Sequence, residues 1–393
     1  MGNKKSKLVK VLILVFLVLF PFGQLLSLRT VFFGTEVNIH PIDIVVGTIS
    51  LIVITGKLKR TALLNSILTT CLVFAFAYLL SIALFGFPFV LRGGLYLLRL
   101  FAYMIFLYAI YLLAADEKDK KLIFSSLIVV SALVAIFGWY QYLFYPDLRS
   151  LYFLGWDDHL YRLVGTFLDP GFTSLILVFG FIMSFAQYLK KKVRYYLILA
   201  GFFLISIAFT YARAAYLALI GGIIILSKRN ISIFKTTSII IAFLLIIAIL
   251  PRPEGYGVRL ERTHSIFAKL ENYSETIKIF KMQPVFGVGF NNICLARAYY
   301  LEDTNPDSHA CNGSDSSLLF LLATSGLVGT AVFLKFIYST CKQISKNYYG
   351  FVFSALALAV GIHSLFVNSL FYPWVMGYLA ILLGISLKRK RLP

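Results

Sequence analysis

Apolar runs long enough to enter a lipid bilayer recur from one end of this chain to the other, separated by short clusters of lysine and arginine. A water-soluble core has no room for them, because 60% of the 393 residues are hydrophobic. The bilayer must therefore act as solvent for much of the molecule. A formal net charge of +20 would suit a nucleic-acid binder only if the basic residues shared one solvated face. Spread between apolar runs, they argue against that partner.

The runs cover residues 8–28, 41–55, 62–85, 93–115, 122–144 and 171–189, then 195–210, 214–226, 231–250, 316–336, 349–370 and 372–387. They predict an all-α, polytopic integral membrane protein of about twelve transmembrane helices, forming a single membrane domain over residues 1–393. Several runs fall short of the roughly 20 residues that cross the hydrocarbon and are expected to be tilted partners or half-spans. Lys4, Lys5, Lys7 and Lys10 precede the first run without a small-residue cleavage site, so it reads as an uncleaved helix.

Lysine and arginine set the orientation, because cytoplasmic loops retain them. Clusters at Lys57, Lys59 and Arg60, at Lys118, Lys120 and Lys121, at Lys190, Lys191, Lys192 and Arg194, at Lys228 and Arg229, and at 388–391 fall in alternate loops. Both termini are thus expected in the cytoplasm, with a large outer loop at residues 251–315 between the ninth and tenth helices. Sorted by side, 19 Lys and 5 Arg fall inside, 3 Lys and 9 Arg outside, and Arg99 lies within a span. Lysine suffices as a topological charge, whereas guanidinium grips phosphate oxygens through a planar fork, so an Arg-rich outer face is consistent with a phosphorylated ligand. The plainer alternative is that these arginines pair with acids of the same loops. Of the four cysteines, Cys294 and Cys311 share the outer loop, where a disulfide and two free thiols are both open.

Four segments carry residues suited to chemistry. Tyr211-Ala212-Arg213-Ala214 holds a cation between two apolar runs with almost no loop, which is costly unless the charge works or snorkels. Arg162 opens Gly165-Thr166-Phe167-Leu168-Asp169-Pro170-Gly171, where Asp169 and Pro170 also fit a helix start. Gly287 and Gly289 lie in a glycine-rich turn, Pro284 to Asn292, after an amphipathic segment at 271–282. A single G-x-G speaks more for packing than for phosphate binding. The fourth segment, His309 to Ser317, places His309, Asn312, Asp315 and Ser316 at the mouth of the tenth predicted span.

In this order the segments resemble the O-antigen ligase and O-antigen polymerase superfamily of bacterial membrane glycosyltransferases, over residues 162–329. The likeness rests on Arg162 before the Gly-Thr-Phe entry, on Ala212-Arg213-Ala214 in place of a Ser-Arg-Gly turn, and on Pro284-x-x-Gly287-x-Gly289. One departure concerns the histidine that such proteins carry in a His-Asn pair nine residues before Gly-x-x-Gly. Counting back from Gly326 and Gly329 puts Asp315-Ser316 there, and His309 lies six positions earlier.

The resemblance implies an enzyme that moves a glycan from a polyprenyl-diphosphate carrier to an acceptor hydroxyl at the outer face of the cytoplasmic membrane. The acceptor is lipid A core, a growing polysaccharide or a protein. Arg162, Arg213 and Lys269 would hold the pyrophosphate, and Asp315 or His309 would take the hydroxyl proton, with Asn312 and Ser316 as hydrogen-bond partners. A carboxylate at a desolvated membrane edge and an imidazole both suit that task. The implied arrangement requires no metal and no cofactor. The rival class, a transporter or flippase, needs polar or broken helices at mid-membrane in two repeats, for which Arg99, Gly93-Gly94 and Gly221-Gly222 are the available residues.

Overall fold

The computed structural model describes residues 3–32, 35–56, 58–114, 116–154, 156–230, 233–253, 255–303, 305, 311 and 313–388. α1 (Asn3–Leu19) runs into a 3-10 turn, Phe20–Leu26, and then a hairpin of β1 (Leu28–Phe32) and β2 (Thr35–Ile39). α2 (Pro41–Ile54), α3 (Ala62–Phe85), α4 (Phe87–Leu113) and α5 (Glu117–Phe144) follow. Past 3-10 turns at Arg149–Leu154 and Gly165–Phe167 come α6 (Pro170–Lys191), α7 (Arg194–Phe209), α8 (Arg213–Asn230) and α9 (Ile233–Ala248). A 3-10 turn at Tyr256–Val258, α10 (His264–Met282) and α11 (Ile293–Tyr300) lead to α12 (Ser317–Lys342), α13 (Tyr348–His363) and α14 (Pro373–Ser386).

Among the described residues, six helical stretches are long and apolar enough to cross a membrane: Lys4–Leu26, Ala62–Phe85, Phe87–Leu113, Glu117–Phe144, Pro170–Lys191 and Ser317–Lys342. Shorter apolar helices lie at Pro41–Ile54, Arg194–Phe209, Thr236–Ala248, Tyr348–His363 and Pro373–Ser386. The fold is nearly all-α, as composition requires, and α6 is its axis. With 83% of its apolar window buried, α6 packs against α5, α7, α8 and α13, so its first turn faces protein on several sides.

Three local departures from the sequence expectation matter. In the stretch 29–40, expected as loop, Leu28–Phe32 and Thr35–Ile39 pair as antiparallel strands, with Leu28 opposite Ile39 and Arg29 opposite Asn38. The loop expected at 87–92 is helical, because Gly86 at φ 86° makes the whole turn between α3 and α4. The run 349–370 stops being helix at His363. There Ser369 Oγ bonds His363 Nδ1 at 3.1 Å and Ser364 Oγ at 3.0 Å, and Ser364 O accepts from Ser317 N at 2.8 Å. Serine-rich sequence offers the backbone these alternatives to helix, and residues 364–372 become a loop stitched to the start of α12.

α12 is itself broken at Gly326, whose φ of 62° and ψ of −169° suit glycine alone. The glycine-rich turn fills the break: Leu327 N donates to Pro284 O at 2.8 Å, Val328 N to Val285 O at 3.1 Å, and Val288 N to Ala323 O at 3.0 Å. Non-helical backbone among apolar helices persists only where protein satisfies it in this way. Arg99, on α4, is likewise satisfied. Its Nη2 lies 2.8 Å from Asp43 Oδ2 and donates to Asn38 O at 2.7 Å, tying α4 to α2 and β2.

Candidate functional site

The turn between α7 and α8 is made by Tyr211 in the left-handed region, φ 52°, and it presents the C-terminal carbonyls of α7. A helix end leaves such carbonyls short of donors and slightly negative. Arg162, 9% exposed, answers both needs: Nε donates to Thr210 O at 3.0 Å and Nη2 to Tyr211 O at 3.4 Å. Arg213, the first residue of α8, reaches the other way. Its Nη1 donates to Leu260 O at 3.2 Å and Arg262 O at 3.0 Å, and its Nη2 to Ser265 Oγ at 2.7 Å. Arg262 in turn donates to Gly257 O at 2.7 Å and Arg259 O at 2.8 Å.

Three guanidiniums therefore share one electrostatic neighbourhood. Burial, then Arg262, pulls Arg162 down to about 10, which leaves it a full cation at neutral pH. Burial, then Arg213, lowers Arg262 as well. Like charges crowded at a helix turn favour an anion between them, and a diphosphate supplies oxygens that fork-shaped donors can take in pairs. Sequence reasoning singled out Arg162 and Arg213 but missed Arg262. Its signal was the density of arginine at 252, 259 and 262.

Two carboxylates and an imidazole adjoin the arginines. Ligand atoms of Asp157, His159 and Asp169 lie within 4.8 Å of one another, a spacing that would also admit a cation. Asp169 caps α6 through Oδ1, which accepts from Phe172 N at 2.7 Å, as its sequence position foretold, and burial raises its carboxyl above the usual range. Asp169 and Asp157 both act on Arg162. His159 is 7% exposed, and burial followed by Arg162 and Arg262 holds its imidazole down at about 3, so it is neutral. The strand-like pairing that holds it there is short: Leu148 N donates to His159 O at 2.8 Å and Tyr161 N to Pro146 O at 2.9 Å.

One face of α10 carries the next part of the site. Ser265, Lys269 and Tyr273 follow at intervals of four residues and stack above one another. Lys269 Nζ donates to Phe366 O at 2.8 Å and lies 3.4 Å from Asp315 Oδ1, and Tyr273 Oη donates to Leu365 O at 2.8 Å. Burial, reinforced by Asp315, pushes the Tyr273 phenol up to about 12. Asp315 is held from its backbone too, N to Asn272 Oδ1 at 2.9 Å, and Asn272 Nδ2 donates to Gly313 O at 3.2 Å. The cap of α12 is Ser316, whose Oγ accepts from Leu319 N, so Asp315 is left facing Lys269.

The sequence-selected residues thus divide. Arg213 bonds Ser265, four residues before Lys269 on α10, and Lys269 brings Asp315 with it. Arg162 backs Arg213 from the far side of the turn. The clusters share walls: a Cβ at Gly171 would stand 3.0 Å from Asp169 Oδ1 and 3.9 Å from Val367 Cγ2, so the start of α6 abuts loop 364–372. His309 and Asn312 lie outside the described residues. Cys294, on α11, forms a disulfide with Cys311. Gly287 and Gly289 serve packing: a Cβ at Gly287 would come within 2.5 Å of Thr324 C, and one at Gly289 within 2.4 Å of Ser81 Oγ.

Compared with known protein families, residues 163–334 match the family model described as O-Antigen ligase. That span holds Arg213, Arg262, Lys269, Asp315 and the break in α12 at Gly326. Arg162 immediately precedes it, and Asp157 and His159 lie just outside. No curated protein matches the chain.

Proposed function

We propose that this chain, whose residues 163–334 match the O-Antigen ligase family model, is a membrane glycosyltransferase moving a glycan from a polyprenyl-diphosphate carrier to an acceptor hydroxyl. The observation that carries the reading is the group of three guanidiniums, from Arg162, Arg213 and Arg262, gathered at the α7–α8 turn. In this reading they hold the donor diphosphate and take up the charge it gains on leaving.

The acceptor oxygen attacks the anomeric carbon, the bond from that carbon to the phosphate oxygen breaks, and the diphosphate departs on its lipid. The proton of the attacking hydroxyl passes to Asp315, or to His309. Lys269 orients the Asp315 carboxylate rather than binding phosphate alone. From Ser265 to Lys269 the helix rises about 6 Å, enough to seat a sugar ring between the diphosphate and the proton acceptor. Charge neutralisation falls to arginine, and no step is assigned to a metal.

The chain would sit in the cytoplasmic membrane with about twelve spans, both termini inside and residues 251–315 outside, where a lipid-linked donor is the available form of activated sugar. Lipid A core, a growing glycan and a protein hydroxyl are the acceptors to compare, with lipid A core first. Transport is disfavoured because Arg99, the arginine within a predicted span, is spent on Asp43 and Asn38.

The test is transfer of a radiolabelled glycan from polyprenyl diphosphate in proteoliposomes, with lipid, glycan and peptide acceptors offered separately. Transfer to one acceptor that is lost in Arg213→Ala supports the reading. Full transfer by a well-folded Arg213→Ala protein, or ion-coupled solute uptake in place of transfer, would overturn it.

A further inference from the structure

The loop that follows α5 holds a cavity of about 820 Å³, lined by Asp147, Arg149, Ser150, Tyr152, Phe153 and Asp158. Small-molecule sites have this size and combine aromatic walls with a few placed polar groups. All six residues precede residue 163, where the family match begins, so that match assigns the cavity nothing. Its polar part is fixed before a ligand arrives. Arg149 donates from its backbone N and from Nε to Asp147 Oδ1, at 3.0 and 2.9 Å, and from Nη2 to Asp147 Oδ2 at 2.6 Å. Among the described residues Nη1 of Arg149 makes no hydrogen bond, and Asp158 supplies a second carboxylate close enough to act on Arg149. The apolar part stays open: Tyr152 is 68% and Phe153 88% exposed, and the two rings meet edge to face with centroids 6.1 Å apart.

These walls describe one kind of ligand. Two carboxylates against one guanidinium leave the lining negative, which turns away a phosphate. Lipid tails are excluded as well, because charged side chains are costly in hydrocarbon. A sugar ring fits both halves of the cavity. Its C–H face lies against the electron-rich face of an aromatic ring, while its hydroxyls donate to carboxylates and accept from Nη1 and from Ser150. Position ties the cavity to the arginine group. Asp147 pairs with Leu160 across a short antiparallel bridge, and Leu148 N donates to His159 O at 2.8 Å. The four residues from Asp158 to Arg162 span at most about 14 Å. We propose that this cavity is a carbohydrate subsite that binds a sugar ring of a glycan lying beside the diphosphate. Whether the ring belongs to donor or acceptor has meaning only within the glycosyltransferase reading above, on which this part rests.

The probes are bare polyprenyl diphosphate, an array of free bacterial oligosaccharides, and the same lipid carrying those oligosaccharides, each titrated against the full chain in nanodiscs. Wild type should bind at least one free glycan, or bind at least one glycan-bearing lipid roughly tenfold tighter than the bare lipid. Asp158→Asn, and Tyr152→Ala combined with Phe153→Ala, should each weaken that glycan binding roughly tenfold while leaving the bare-lipid Kd within about twofold, which also reports that the variants are folded. Weakened binding of the glycan-bearing lipid assigns the ring to the donor, and weakened binding of the free glycan alone assigns it to the acceptor. The subsite is overturned, and the parent reading left standing, if wild type binds no free glycan and shows no preference between the lipids. Glycan binding that survives either variant overturns it too, the rings then resting against lipid headgroups, as does equal weakening of bare and glycan-bearing lipid. Failure of wild type to bind bare polyprenyl diphosphate overturns the parent reading, and overturns the subsite as well only if no glycan binds.

Discussion

Arg162 and His159 show how a single side chain comes to depend on its surroundings. Arg162 meets two carbonyls at the end of α7 with two different nitrogens, a task that lysine, with one nitrogen, cannot repeat. His159 carries a pH signature. Its ring in the folded chain is held near 3, from an ordinary value of 6.5, by burial and by Arg162 and Arg262, with Asp157 and Asp169 as its acidic neighbours. The unfolded chain therefore binds a proton that the folded chain refuses. This contribution to stability is complete above about pH 6.5 and is lost as pH falls toward 3. Thermal unfolding should show Tm falling more steeply between pH 6.5 and 4.5 for wild type than for His159→Gln, and parallel curves would contradict the assignment. Arg162 and Arg213 were legible in the sequence because a guanidinium beside a near-loopless turn is conspicuous. Asp157 and His159 were not, because nothing in a short loop says that it folds back onto residue 169.

A broken helix is the element that organises the far side of the site. α12 continues past Gly326 only because Pro284 and Val285 supply the carbonyls that Leu327 and Val328 need. A Cβ at residue 326 would stand 2.3 Å from Val285 O, in a backbone region closed to side chains. Gly326→Ala should destabilise the protein by roughly 1–3 kcal/mol. A matching drop in denaturation midpoint, with loss of protection for the amides of Leu327 and Val328 in hydrogen exchange, would confirm it; unchanged exchange would not. The glycine pattern was visible in the sequence, and Gly287 and Gly289 stand where a Cβ would meet neighbouring atoms. What could not be read was the partner. Spacing reports that two glycines lie near each other in the chain, and only the fold shows that they close the gap in another helix forty residues on.

At the scale of the molecule, charge along the chain makes a prediction about its two sides. In a background lacking Cys71 and Cys341, Tyr152→Cys should react with a membrane-impermeant maleimide added to intact cells, and Lys118→Cys only after permeabilisation. The reverse pattern would invert the proposed orientation, and reaction of both would break the proposed count of spans. Composition by itself determined that the chain is a helical membrane protein, because so much apolar surface leaves lipid as the only adequate solvent and helices as the way to satisfy the backbone there. Sequence also marked Arg162, Arg213, Lys269 and Asp315, since ionisable residues at the ends of apolar runs stand out against them. Only the tertiary structure decided that Lys269 faces Asp315, that Arg262 joins the two marked arginines, and that Asp157 and His159 meet Asp169. Those pairings depend on where distant segments cross, and that is set by packing around α6 and by loops whose course leaves no periodic trace in the chain.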